Sequence, residues 1–175
     1  MAYNRKQDGS VEELKSKNVD TGMGLERTTA IISGKESAYE TDLFLPIISL
    51  IEKLSKKKYS ENKKEMRIIA DHLRAATFII CDGVVPSNKD RGYILRRLIR
   101  RAIQFGNKIE ITNNFTSEIA KEFITNYKTQ YSELEKNKNA IFEELTKEEN
   151  RFRNTLTQGL KEFEKISKKG SLTSQ

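Results

Sequence analysis

Apolar residues recur every three or four positions through most of the chain from residue 66 onward. The clearest stretch has small or apolar side chains at positions i, i+3, i+4 and i+7, at Met66, Ile69, Ala70, Leu73, Ala76, Thr77 and Ile80. This spacing places one face of an α-helix against a core. The 175 residues include only two prolines and are 33% charged, which suits helices with solvated outer faces. We therefore predict a mainly α protein built as a helical bundle.

The same reasoning gives a set of helices and their ends. Gly34 and the pair Gly106-Asn107 are expected to end helices, and Thr41 or Asp42 is expected to cap one. The predicted helices cover "LERTTAII", residues 42–58, a stretch from Ser60 to about residue 80, a basic helix ending near Phe105, and residues 115–131 and 133–167.

The N-terminal stretch "AYNRKQDGSVEEL" has a different pattern. Asp8-Gly9 is a tight-turn dipeptide between two short segments, which predicts a β-hairpin. Two strands alone are marginally stable in water. We therefore interpret the hairpin as one edge of a larger sheet.

Composition excludes several other classes of protein. No apolar run approaches the roughly 20 residues of a membrane-spanning helix, and the first ten residues lack the apolar centre of a signal peptide. The chain has one cysteine, Cys81, which rules out an internal disulfide and a zinc site with several cysteines. We expect a cytoplasmic protein with no membrane partner and no metal site.

Positive charge is concentrated in residues 89–108, "KDRGYILRRLIRRAIQFGNK", where seven Lys or Arg face one Asp. On a helix, Arg96, Arg97, Arg100 and Arg101 lie on one side with Tyr93, opposite an apolar side formed by Ile94, Leu95, Leu98, Ile99, Ala102 and Phe105. One interpretation is a solvated face whose arginines pair with acids of the long C-terminal helix. The other is a site for a polyanion, because arginine suits bidentate phosphate contacts.

The segment before this helix favours the second interpretation. "CDGVVPSNKDRG" predicts a loop of defined shape and places Asn88, whose amide can donate and accept hydrogen bonds, directly before the basic helix. Such an amide beside phosphate-binding side chains can both position and read a nucleic acid. We therefore favour nucleic-acid binding.

A second candidate site is "VDTGMGLER" at residues 19–27. It lacks the glycine spacing and the Lys-Ser/Thr of a P-loop, and it lacks the third glycine of the dinucleotide fingerprint. A helix start capped by Asp20 or Thr21 is the simplest structural interpretation. The alternative is a fragment of an active site.

The two stretches together resemble a known family. "GMGLER" resembles the third signature motif of class II aminoacyl-tRNA synthetases, and "VDTGMGLER" followed by "IADHLRAATFIICDGVVPSNKDRGYILRRLIRRA" resembles the alanyl-tRNA synthetases. The resemblance runs from about residue 3 to residue 170. It implies a C-terminal remnant of the class II catalytic domain over residues 1–33, a helical tRNA recognition domain over 34–170 and a tail over 171–175. The hairpin is then a remnant of the class II antiparallel sheet.

The resemblance also implies roles for the glycine-rich segment. Asp20 and Gly22 match positions that bind alanine, and Gly24 and Arg27 match positions that bind ATP. The parent enzyme uses ATP and Mg²⁺ to form an alanyl-adenylate and then joins alanine to tRNA(Ala). Glycine allows close approach of a ligand to the backbone, and arginine can stack on adenine and meet a phosphate.

In the basic segment, the resemblance implies contacts with the acceptor stem of tRNA(Ala). Asn88 matches the asparagine that reads the family's G·U wobble pair. The wide minor groove of A-form RNA is accessible to such a side chain. The residues expected along the RNA backbone are Lys89, Arg91, Arg96, Arg97, Arg100 and Arg101.

Other parts of the family's pattern are not in these 175 residues. The first two signature motifs, the aspartate that works with the asparagine, and the editing domain with its zinc ligands are not found. We therefore expect no complete catalytic set, no zinc site and no alanine activation by this chain on its own. Two alternatives remain, a stand-alone helical nucleic-acid-binding protein and one half of a split synthetase that pairs with a separate catalytic half.

Overall fold

The computed structural model describes residues 2–16, 18–19 and 21–168. They fall into two units, one ending at Thr41 and one beginning at Asp42. Most described residues are helical, with a small antiparallel sheet near the N-terminus, so the predicted fold class is confirmed.

The first unit opens with the predicted hairpin. Strand β1 (Tyr3–Arg5) pairs with strand β2 (Val11–Glu13) in antiparallel register, with Tyr3 opposite Glu13. Gly9 has a φ of 86°, a conformation that glycine adopts without steric cost. The Asp8 carboxylate accepts hydrogen bonds from the backbone and hydroxyl of Ser10, and these bonds hold the pKa of Asp8 below its ordinary value.

The rest of this unit is one short helix and a turn. Helix α1 (Leu25–Ile32) ends before Gly34, whose φ of 63° stops it as predicted. A 3-10 turn follows at Ala38–Glu40. Large apolar side chains of this unit are exposed on the hairpin, on the helix and in the segment between them, among them Tyr3, Val11, Met23, Ile31 and Ile32.

The second unit is a bundle of helices. Its elements are α2 (Leu45–Ser55), α3 (Lys63–Cys81), α4 (Asp90–Lys108), α5 (Thr116–Tyr127), α6 (Ser132–Lys136) and α7 (Lys138–Lys168). Helices α3 and α4 pack along each other at its centre, and α5 and α7 cover them. The fully buried side chains come from all of the longer helices, for example Ile51, Leu73, Ile99, Phe123 and Leu145.

Several predicted helix boundaries are wrong. The helix predicted over residues 133–167 is two helices, α6 and α7, and those predicted over 42–58 and 115–131 end earlier, at Ser55 and Tyr127.

Two further differences have a clear physical reason. Thr41 does not cap α2, because its hydroxyl donates to the carbonyl of Ala38 in the preceding turn, and α2 begins at Leu45. The basic helix does not stop at Gly106 but continues to Lys108. Gly106 lies against the ring of Phe115, and a Cβ at this position would approach that ring to 2.6 Å. The glycine permits close packing here and does not end the helix.

A buried carboxylate joins α7 to the start of α5. Glu149 is fully buried and accepts hydrogen bonds from the backbone N–H groups of Phe115 and Thr116 and from the Thr116 hydroxyl. Arg153, one turn further along α7, donates to the same carboxylate. The amides at a helix start need acceptors and favour negative charge, so Glu149 serves as a long-range cap.

The long helix α7 changes its environment along its length. Residues up to Arg153 pack against the bundle, with Ile141, Leu145 and Phe152 buried, whereas every residue from Thr157 to Ser167 is exposed. Among the described helices, none is both long enough and apolar enough to cross a membrane.

Candidate nucleic-acid interface

The loop between α3 and α4 is held against the first turn of α4. The Ser87 backbone N–H donates to the carbonyl of Gly92 at 3.0 Å, and the Ser87 hydroxyl donates to the carbonyl of Lys89 at 2.9 Å. Gly92 is buried, and a Cβ on it would lie 2.3 Å from the Ser87 Oγ and 2.5 Å from the Val85 carbonyl oxygen. The absence of a side chain at Gly92 is therefore what lets the loop approach the helix.

This loop presents Asn88 at the protein surface. Asn88 is exposed, and its Oδ1 accepts a hydrogen bond from Nη1 of Arg96, about two turns along α4. Asp90, where α4 begins, has a φ of 48°, a conformation that aspartate tolerates better than most residues. The predicted pair of an amide and the basic helix is thus brought together by a direct hydrogen bond.

Aromatic rings support the arginines of α4. The guanidinium carbons of Arg96 and Arg97 lie 5.8 Å and 5.7 Å from the centroid of the Tyr93 ring, and that of Arg101 lies 5.9 Å from the centroid of Phe105. Such contacts attract a cation to the ring face and limit its motion. Each of these three guanidiniums therefore packs against an aromatic ring of its own helix.

Arg100 is in a different environment from its neighbours. Its Nε donates to Oε1 of Glu148 at 2.6 Å, and its guanidinium lies 5.0 Å from the centroid of the Phe152 ring. The Arg100 side chain is 27% exposed and that of Glu148 is 3% exposed. Arg100 therefore pairs with an acid of the long C-terminal helix, as the first of the two interpretations of the basic face expects.

The remaining basic residues are open to solvent. Lys89, Arg91, Arg97 and Arg101 are exposed, Arg96 is half-buried, and none of the five has a carboxylate partner among the residues that the structure describes. We name this set, together with Asn88, the basic ridge. Uncompensated charges on one helix repel one another, and an anion on the ridge would relieve this repulsion.

The buried face of α4 contains a different set of apolar residues from the predicted one. Leu95, Ile99, Ala102 and Ile103 are buried, whereas Ile94 is 52% exposed. A groove of about 430 Å³ runs beside the basic ridge, between α3, α4 and α7. It is lined by His72, Ile94, Arg97, Leu98, Arg100, Arg101, Gln104, Phe105 and Phe152. The sequence prediction placed Ile94, Leu98 and Phe105 on the apolar side of the helix. In the structure these three residues line the groove and do not belong to the buried core.

The glycine-rich segment of the first unit is open. Gly22, Gly24 and Arg27 are exposed, and Gly24 directly precedes the first residue of α1. The only atoms near a Cβ built on Gly24 belong to the Arg27 side chain, at 3.7 Å or more, and none lie near one on Gly22. Asp20 lies outside the described residues. Across residues 2–16, 18–19 and 21–168, no group of three His, Cys, Asp or Glu side chains could hold a metal ion.

Two residues of the site were not found from the sequence. Gly92 has a recognisable signal, a glycine in the first turn of a strongly patterned helix directly after a loop, which indicates a close approach of two backbone segments. Glu148 has none, because the C-terminal helix carries many acids and its pairing with Arg100 depends on how the helices pack.

Comparisons with known proteins show which family this chain belongs to. A family model described as tRNA synthetases class II (A) matches residues 1–174. Relatives include alanine–tRNA ligase of Borreliella afzelii (strain PKo), 47% identical over 96% of this chain and 29% of that protein. Those of Pediococcus pentosaceus and Prochlorococcus marinus (strain MIT 9301) are each 45% identical, over 90% and 97% of this chain and 18% and 20% of their own lengths. The chain thus spans less than a third of these relatives, and it belongs to the class II (A) tRNA synthetase family.

Proposed function

We propose that the second unit binds the acceptor stem of tRNA(Ala), as the recognition portion of an alanine–tRNA ligase. The observation that carries the proposal is the basic ridge, in which exposed guanidiniums without carboxylate partners lie beside an exposed amide on a tightly held loop. An RNA duplex needs these two elements, cations for the phosphates and a polar side chain for a base edge.

The residues of the ridge have different roles in this proposal. Lys89, Arg91, Arg97 and Arg101 are exposed and contact phosphates, and Asn88 reads the G·U wobble pair from the minor groove. Arg100 contributes less than the others, because Glu148 already neutralises much of its charge.

The first unit contributes part of an ATP and alanine site in the same proposal. Gly22 and Gly24 leave space for a ligand against the backbone, and the exposed guanidinium of Arg27 is free to meet a phosphate. Gly24 and Arg27 would hold ATP, and Asp20 and Gly22 would hold alanine. When bound, ATP with Mg²⁺ supplies the adenylyl group that activates alanine. That the 175 residues alone do not support alanine-dependent exchange of pyrophosphate into ATP stays a prediction.

Membership of the synthetase family counts against a stand-alone nucleic-acid-binding protein without catalytic parentage. A split synthetase, in which a separate catalytic half is the partner, uses the ridge in the same way. The RNA-binding experiment that follows therefore tests both the recognition portion of a single-chain synthetase and that of a split synthetase.

The test is a salt series of binding between the whole chain and a hairpin RNA that reproduces an acceptor stem. Each phosphate contact contributes about 0.7 to 0.9 to the slope of log affinity against log salt. The variant Arg97→Gln with Arg101→Gln should lower the slope by about 1.4 to 1.8. The control Lys121→Gln with Lys136→Gln removes two exposed charges from other helices and should leave the slope unchanged. Equal slopes in all three proteins would refute the proposal.

A further inference from the structure

The hydrogen bond between Arg96 and Asn88 fixes the orientation of the amide. A guanidinium has only hydrogen-bond donors, so the amide atom facing it must be the oxygen. The Asn88 Oδ1 therefore points to Arg96 and its NH₂ group points away. Because Asn88 is exposed and makes no other side-chain hydrogen bond within the described part of the chain, nothing else sets this orientation.

Arg96 is itself held in place. It is half-buried, unlike Arg97 and Arg101, and its guanidinium lies on the Tyr93 ring at 5.8 Å. The loop that carries Asn88 is held independently by the bonds between Ser87, Lys89 and Gly92. Backbone and side chain of Asn88 are thus fixed by separate contacts before any RNA arrives.

We propose that Arg96 acts as a positioning residue for Asn88 and is not primarily a phosphate contact. By engaging Oδ1, it presents the NH₂ group of Asn88 outward, as a donor to a hydrogen-bond acceptor on the RNA base edge, such as the pyrimidine O2, whose position differs between a G·U wobble pair and a G·C pair. The inference rests on the proposed function, since it assigns how the same site reads its RNA. Preorganising the amide removes the need to order it on binding.

The neighbouring Arg97 offers a matched comparison. Arg96 and Arg97 contact the same Tyr93 ring at nearly the same distance, but only Arg96 donates to Asn88. The variants Arg96→Gln and Arg97→Gln remove the same charge from adjacent positions. Any difference between them in base discrimination therefore reports the Asn88 contact.

The experiment measures binding of two hairpin RNAs, identical except for a G·U or a G·C pair, over a salt series. Arg96→Gln should lower the affinity ratio between the two RNAs by about 2- to 10-fold, the effect of one hydrogen bond, with little change in salt slope. Arg97→Gln should lower the slope and keep the ratio. In an Asn88→Ala background, Arg96→Gln should change the ratio no further.

A second measurement needs no RNA. In the ¹⁵N–¹H spectrum, the side-chain NH₂ signals of Asn88 should shift in Arg96→Gln and stay in place in Arg97→Gln. Three results for Arg96→Gln would each overturn the positioning role. These are unshifted Asn88 signals, an unchanged affinity ratio between the two RNAs, and a loss of salt slope equal to that of Arg97→Gln. If Asn88→Ala itself leaves the ratio unchanged while the signals still shift, base reading by Asn88 in the proposed function is what fails.

Discussion

The contact between Gly92 and the loop predicts an unusual result for a substitution of glycine by alanine in a helix. A Cβ at Gly92 would meet the Ser87 Oγ at 2.3 Å and the Val85 carbonyl oxygen at 2.5 Å. The hydroxyl can rotate away, but the carbonyl is backbone and must retreat to at least 3.4 Å for ordinary contact. The loop that carries Asn88 has to move with it.

The magnitude follows from two opposing effects. Alanine gains at most about 1 kcal/mol of helix propensity over glycine, whereas overpacking costs about 1 to 3 kcal/mol. We expect Gly92→Ala to lower the free energy of unfolding by about 1 to 2 kcal/mol. The matched control is Gly159→Ala in α7, where a Cβ meets nothing within 4 Å, and this variant should gain up to about 1 kcal/mol.

Urea unfolding followed by circular dichroism measures both variants, and the difference between them isolates the steric cost. The G·U over G·C affinity ratio is the second readout, and it should fall in Gly92→Ala and stay constant in Gly159→Ala. If Gly92→Ala were as stable as Gly159→Ala, the close approach of loop and helix would be refuted. A destabilised Gly92→Ala that kept its affinity ratio would separate the loop position from base reading.

Three further substitutions test other contacts of the bundle. Glu149→Ala should lower the free energy of unfolding by about 3 kcal/mol in urea unfolding, because it removes the buried cap of α5 and takes the carboxylate partner from the half-buried Arg153. A loss below 1 kcal/mol would contradict the capping role. Glu148→Gln should raise RNA affinity and the salt slope, because the charge of Arg100 is then no longer neutralised by a carboxylate. An unchanged slope would show that Arg100 does not reach the RNA. Gly106→Ala should destabilise the protein by about 1 to 3 kcal/mol in the same unfolding assay, because its Cβ would strike the Phe115 ring; a gain in stability would contradict that contact.

The sequence was sufficient for the regular parts of the fold because the signal there is local. The apolar spacing of α3 and the Asp8-Gly9 turn depend on residues close in the chain, and both predictions are confirmed. Gly106 shows the limit, since a glycine followed by asparagine resembles a helix stop. The ring that requires this glycine, that of Phe115, is supplied by a later segment.

The candidate site can likewise be predicted from the sequence only in part. The charge of residues 89–108 and the amide before it are visible in the sequence, whereas the partner of each arginine depends on packing. Arg100 turns to Glu148, 48 residues away, while Arg96 turns to Asn88, eight residues away. Arg96 and Arg100 belong to the same face of the helical pattern. The spacing of residues in the sequence therefore does not predict which arginine pairs with a carboxylate and which contacts the amide.

The change of environment along α7 has a practical consequence for anyone shortening this protein. The contacts of the Glu149 carboxylate and of Arg153 with the bundle lie in the first half of the helix, and the side chains from Thr157 to Ser167 are exposed. A stop codon placed after Leu156 should leave a folded, crystallisable core with its RNA-facing surface intact. A stop codon placed before Glu149 would remove the acceptor of the hydrogen bonds at the start of α5 and destabilise the bundle.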